Sequence, residues 1–117
     1  MSGVRDLGPK RLMAKQSPQA RAIQRLKADG WMVATVEHWN PFARIRQDLF
    51  GIGDLLAVRG SETALVQVTS RSNVHARAAK IAASEAAPRL RDAGWLIWIW
   101  GYGKTKTLGD WREVDVS

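Results

Sequence analysis

The stretch Gly53-Asp54-Leu55-Leu56-Ala57-Val58-Arg59-Gly60-Ser61-Glu62-Thr63-Ala64-Leu65-Val66-Gln67-Val68-Thr69-Ser70 decides the reading of this chain. Asp54 opens an apolar run, Leu55 to Val58, and the polar link Arg59-Gly60-Ser61-Glu62 follows. A second apolar run then ends in Gln67-Val68-Thr69-Ser70. Two strand-length runs joined by so short a link predict an antiparallel hairpin over 54–59 and 63–69. Side chains alternate faces along a strand, so Gln67 and Thr69 point the same way, and pairing brings Asp54 beside them. One acid and two polar side chains therefore gather at one end of the hairpin. The rest of both strands is apolar on both faces, which predicts a sheet covered by helices on two sides.

Working outward, Ser17-Pro18 reads as an N-cap followed by proline at the first helical position, and Gly30 closes that helix. Its apolar stripe is Ala22, Ile23 and Leu26, with Arg21, Arg25 and Lys27 left to solvent. Residues 31–38 are β-rich, and 39–53 read as a loop containing Pro41, Gly51 and Gly53. Beyond the hairpin, a helix is expected to start near Ser72 or Asn73. Val74, Ala78, Ile81 and Ala82 form its buried face, and Asn73, Arg77, Lys80 and Ser84 the opposite one. Pro88 is expected to break or kink it, and 90–93 form a last helical stretch before Gly94. Residues 95–100 give a fourth strand and 111–116 a fifth, in the order α-β-β-β-α-β-β. No internal repeat or low-complexity tract is visible.

With 117 residues the chain holds one core rather than two. No run approaches the roughly 18 apolar residues of a membrane span, and no apolar leader opens the sequence. The absence of cysteine excludes a disulfide framework and a thiolate zinc site, and an intracellular chain is expected. Eighteen basic residues against eleven acidic ones give a net charge of +7, which favours a polyanionic partner, nucleic acid before anionic lipid. Residues 1–16, with Arg5, Lys10, Arg11 and Lys15 among glycines and Pro9, read as a flexible basic arm able to lie along phosphates, or as a terminus with no such role. Residues 17–117 form the single domain.

An αβββαβ core with Asp54 on the second strand and a polar-x-polar triplet on the third resembles the PD-(D/E)XK nuclease superfamily. The stretch Gly53-Asp54-Leu55-Leu56-Ala57 with Val66-Gln67-Val68-Thr69-Ser70 looks like the archaeal-type Holliday-junction resolvases and their phage relatives. The resemblance covers roughly residues 17–100. It implies a restriction-endonuclease-like α/β fold, a mixed central sheet flanked by helices. It also implies Mg²⁺- or Mn²⁺-dependent hydrolysis of phosphodiesters in branched DNA, a homodimer, and a cytoplasmic, phage- or prophage-encoded protein. Asp54 matches the metal-binding aspartate. Gln67 stands where the second acidic ligand usually does, Thr69 where the lysine does, and Ser70 matches a hydroxyl residue found after that lysine.

The departures matter chemically. Magnesium prefers hard oxygens, normally one or two carboxylates with waters and substrate phosphate. Asp54 offers one, Gln67 a neutral carbonyl oxygen, and Asp48 and Glu37 are the acids placed to complete the set. Residues 17–28 contain no acid, so the family's first-helix glutamate has no counterpart. Threonine cannot stabilise phosphate charge as lysine does. Arg71, or Arg77 and Lys80 on the following helix, are the substitutes. The rival readings are a DNA-binding module of the same fold with catalysis lost, and a phage protein-interaction factor.

The segment Trp39 to Gln47 carries Arg44 and Arg46 as phosphate contacts. Its aromatics, Trp39 and Phe42, either stack on bases or pack into the core. Ser70-Arg71-Ser72-Asn73 leads into the second helix, where Arg71, Asn73, Arg77 and Lys80 extend a DNA-facing surface. Six tryptophans are many for this length and suggest a dimer interface.

Overall fold

The computed structural model describes residues 16–104 and 109–117; Lys10, Arg11 and nearly all of the expected basic arm lie outside them. Helix α1, Pro18–Ala28, begins where the sequence signals it: the Ser17 hydroxyl accepts from the Ala20 N–H at 3.1 Å. It ends as Gly30 adopts φ +89°, a left-handed turn that lets Trp31 N–H reach back to the Leu26 carbonyl at 3.0 Å.

Strand β1, Met32–Thr35, follows, shorter than the sequence implies. Strands β4, Leu55–Arg59, and β5, Glu62–Ser70, form the expected hairpin, with Arg59 opposite Glu62 and Gly60 at φ +58° in a two-residue turn. A 3₁₀ turn, Arg71–Asn73, and helices α2, Val74–Ala82, and α3, Ala86–Asp92, then carry the chain over to β6, Leu96–Lys104. The closing strand is β7, Gly109–Asp115. The sheet runs β1-β4-β5-β6-β7, with β5 and β6 parallel and the other pairs antiparallel.

Helices flank this sheet on both sides. Ala64 and Val66 of β5 join Leu55, Ala57 and Trp100 beneath Ala22 and Leu26 of α1. Leu65 joins Ile97 and Ile99 beneath Val74 and Ile81 of α2 and Leu90 of α3. Ala64, Leu65 and Val66 are fully buried, which is why β5 is apolar without alternation.

Several expectations are corrected. Residues 39–53 are not all loop: β2, His38–Asn40, and β3, Ile45–Gln47, form a separate small hairpin. Three-residue strands around a proline carry too little alternation to be read. Pro88 does not kink a continuous helix. Helix α2 has already ended, the Ser84 hydroxyl accepts from Ala86 N–H, and Pro88 lies in the first turn of α3, where no intrahelical N–H is required. Ala82 is exposed rather than buried.

The tryptophans are largely used within the chain. Trp98 and Trp100 stack at 6.0 Å, Trp31 meets Trp98 edge-on at 5.5 Å, and Trp111 tilts against Trp100 at 5.7 Å. Arg25, expected in solvent, lies 4.5 Å over Trp100 and pairs with Glu113 at 2.6 Å. Among the described residues, no helix is long and apolar enough to cross a membrane.

The crossing of β6 under the 3₁₀ turn sets where α2 sits. A Cβ on Gly101 would overlap Val74 Cγ2 and stand 3.0 Å from both Arg71 Cα and the Ser70 carbonyl oxygen. Gly101→Ala should therefore destabilise the protein by about 1–3 kcal/mol through overpacking, read as a lower urea midpoint at unchanged m.

Candidate functional site

Asp54 stands where β4 begins and β5 runs on. Its N–H donates to the Val66 carbonyl at 3.0 Å, and its own carbonyl accepts from Val36 N–H at 2.9 Å. Before it, the loop 49–53 folds back with Leu49 N–H on the Gly53 carbonyl at 2.8 Å. Gly53 is pressed so close to Leu65 that a Cβ would overlap that side chain. The backbone thus leaves the sheet at Asp54, and the next β5 donor, Val68 N–H, loses its strand partner. The Asp54 side chain replaces it, with Oδ1 accepting from Val68 N–H at 3.0 Å. The other oxygen, Oδ2, accepts from Gln19 Nε2 of α1 at 3.3 Å.

Continuing the register of Leu55 opposite Val66 sets Gln67 opposite Asp54. Both are buried, and they are the two buried polar side chains among the described residues. Gln67 Nε2 donates to the Val68 carbonyl at 3.3 Å, leaving Oε1 as the amide's acceptor.

Asp54, Gln67 and Val68 border a cleft of about 670 Å³. Glu37 and His38, then Ile45, Arg46 and Gln47 of β3, form one side. Asp48, Phe50 and Gly51 of the loop form another, and Arg77 and Lys80 of α2 face them. Arg46 Nη1 approaches Glu37 Oε1 at 3.5 Å, an exposed pairing that holds the guanidinium loosely. Burial raises the Asp54 carboxyl from 3.8 to about 7. The Val68 N–H opposes this shift, while Asp48 and Glu37 add like-charge repulsion. Arg46, Arg77 and Lys80 thus face Asp48, Glu37 and a buried carboxyl whose charge burial disfavours.

The cleft therefore gathers Asp54, Gln67, Asp48, Glu37, Arg46, Arg77 and Lys80. It does not gather Thr69, Ser70, Arg71, Asn73 or Arg44. Thr69 lies beside Gly101 of β6, two residues or about 7 Å along the strand from Gln67. Ser70 Oγ is 3.2 Å from Ser72 Oγ, and Arg71 is paired with Asp110 at 3.0 Å. Neither Trp39 nor Phe42 is in the core; both are exposed.

Gln19 was not singled out by sequence reasoning, although it occupies the first turn of the helix in which an acid was sought. Two amides, Gln19 and Gln67, lie beside the one buried carboxyl among the described residues. Among the described residues, no three His, Asp or Glu side chains converge as a metal-ligating group. Both Asp54 oxygens already accept hydrogen bonds from the protein. As placed, these side chains do not form a Mg²⁺ shell of the usual two-carboxylate kind.

No protein-family model matches the chain, and a search of curated proteins finds no match.

A carboxyl raised on folding keeps protons that the unfolded chain has lost. The native state therefore binds more protons between about pH 4 and 7, and stability falls as pH rises through that window. Asp54→Asn removes this dependence. Its Oδ1 still accepts from Val68 N–H, and its amide donates to Gln19 once that amide rotates. Thermal midpoints at pH 5 and pH 8 should differ less in the variant, and the variant should melt higher than wild type at pH 8.

Proposed function

We propose that this chain is a DNA-binding module with a restriction-nuclease-like fold and a depleted catalytic set. The observation that carries the reading is the cleft of about 670 Å³ in which Arg46, Arg77 and Lys80 face a buried Asp54–Gln67 floor. Arg46 on β3 and the pair Arg77 and Lys80 on α2 border one opening, a layout suited to a phosphodiester backbone lying across it. The net charge of +7 supplies the long-range attraction. The amides at 19 and 67 support a non-catalytic role, because Gln19 donates to the buried carboxyl and Gln67 lies opposite it without adding the negative charge that would draw a divalent ion. Branched DNA is the proposed target, and a symmetric pair of modules would match a two-fold junction.

Metal-dependent phosphodiester hydrolysis, as in the Holliday-junction resolvases, is the second reading. One observation favours it: Asp48 and Glu37 border the same cleft as Asp54 and Gln67, and Lys80 supplies from α2 the ammonium that position 69 lacks.

A labelled four-way junction tests both. Wild type should bind with log K falling against log[salt] at a slope of about −4 to −5, as for roughly five phosphates. Arg77→Glu with Lys80→Glu should weaken binding more than ten-fold and flatten the slope by about two. Binding without cleavage in Mg²⁺ or Mn²⁺ supports the module. Cleavage that disappears in Asp54→Ala supports the nuclease. Binding with no salt dependence, or no binding, overturns both in favour of a protein-interaction factor.

A further inference from the structure

Phe42 is 97% exposed at the tip of the β2–β3 hairpin, on a turn too well tied to be a loose loop. The Asn40 side-chain oxygen accepts from Phe42 N–H at 3.0 Å and Ala43 N–H at 3.1 Å, and the Asn40 carbonyl accepts from Arg44 N–H at 2.8 Å. Asn40 Nδ2 also reaches Gln47 Oε1 on the partner strand at 3.4 Å. Arg44 takes a left-handed φ of +56°, which closes the four-residue tip. A large apolar ring is thus held out in water by a turn built to hold it. The same hairpin forms a wall of the cleft through Ile45, Arg46 and Gln47, so the ring stands on the turn three residues along the chain from that wall.

Resting on the DNA-binding reading of the cleft, we propose that Phe42 is a stacking finger for an unpaired base, so that the module selects DNA with a bulged or branch-point nucleotide over perfect duplex. Charge chooses this occupant. Arg44 and Arg46 follow the ring on the same hairpin, and Arg77 and Lys80 line the same opening as Arg46. A second copy docked on the tip would bring like charges together. An unpaired nucleotide brings an aromatic face for the ring and a phosphate for the guanidinium groups. Bases inside a duplex already stack on both sides, whereas a bulged or branch-point base has a free face.

The test uses the full chain and a duplex carrying a single 2-aminopurine bulge, beside the perfect duplex of equal length. Wild type should quench the 2-aminopurine, and Phe42→Ala should not. The variant should bind the bulged duplex about 5- to 150-fold more weakly, the range for loss of one stacked base. It should bind the perfect duplex within two-fold of wild type, and Phe42→Trp should restore quenching. Because the ring makes no core contact, the alanine variant should melt with wild type. Equal weakening on both duplexes, no change on either, or dissociation of a dimer by Phe42→Ala in sedimentation overturns the finger. The perfect duplex separates the two ideas: salt-dependent wild-type binding to it upholds the cleft even where Phe42 fails, and binding to neither duplex removes both.

Discussion

One backbone donor organises this molecule. Strand β5 continues beyond the point where β4 turns away, so Val68 N–H is left without a ladder partner inside the protein. An unsatisfied buried N–H costs about 1–3 kcal/mol, and the Asp54 carboxyl supplies the missing acceptor at 3.0 Å. That contact fixes the end of the hairpin and ties the loop 49–53 to it. Through Gln19 it also ties the first turn of α1 to the same point. The acid at the centre of the cleft is a structural cap as well as a chemical group, and the two roles compete. A carboxyl holding two protein donors in a buried place is poorly disposed to hold a cation as well.

The surroundings of that carboxyl follow from the same constraint. Burial favours the neutral form, and Asp48 and Glu37 press in the same direction. Gln19 and the Val68 N–H meet its polar demand, and the amide of Gln67 lies opposite without adding charge. The positive side chains stand farther out, on β3 and α2, where they meet solvent. A floor whose charge burial suppresses, beneath a rim that carries Arg46, Arg77 and Lys80 beside Glu37 and Asp48, is the arrangement on which the proposed DNA-binding reading rests.

Much of the architecture could be read along the chain because local and tertiary preferences agree in it. Ser17-Pro18 and Gly30 bound α1 for reasons internal to that segment. The unbroken apolar runs around Gly60 have no use except in a two-sided core. The β2–β3 hairpin escaped because its strands have three residues each, too few for a period to register, and its turn depends on the Asn40 side chain rather than on glycine. Pro88 misled in a different way. It marks a helix start as well as it marks a break, and only the exit of the chain at Ala83–Ser84 distinguishes the two.

The candidate site divides along the same line. Composition and strand alternation alone determined that a basic, cysteine-free domain would carry Asp54 and Gln67 side by side on a central hairpin, because alternation and turn length are local properties. Which residues join them was decided only by the tertiary structure. Strand β5 runs past the end of β4 with Thr69 and Ser70 paired to β6 alone, and the crossover through α2 brings Arg77 and Lys80 to the cleft. Gln19 reaches Asp54 across 35 positions of sequence because α1 packs on the opposite side of the hairpin from α2. Contacts of that range depend on how layers stack, and stacking is a property of the whole core rather than of any one segment.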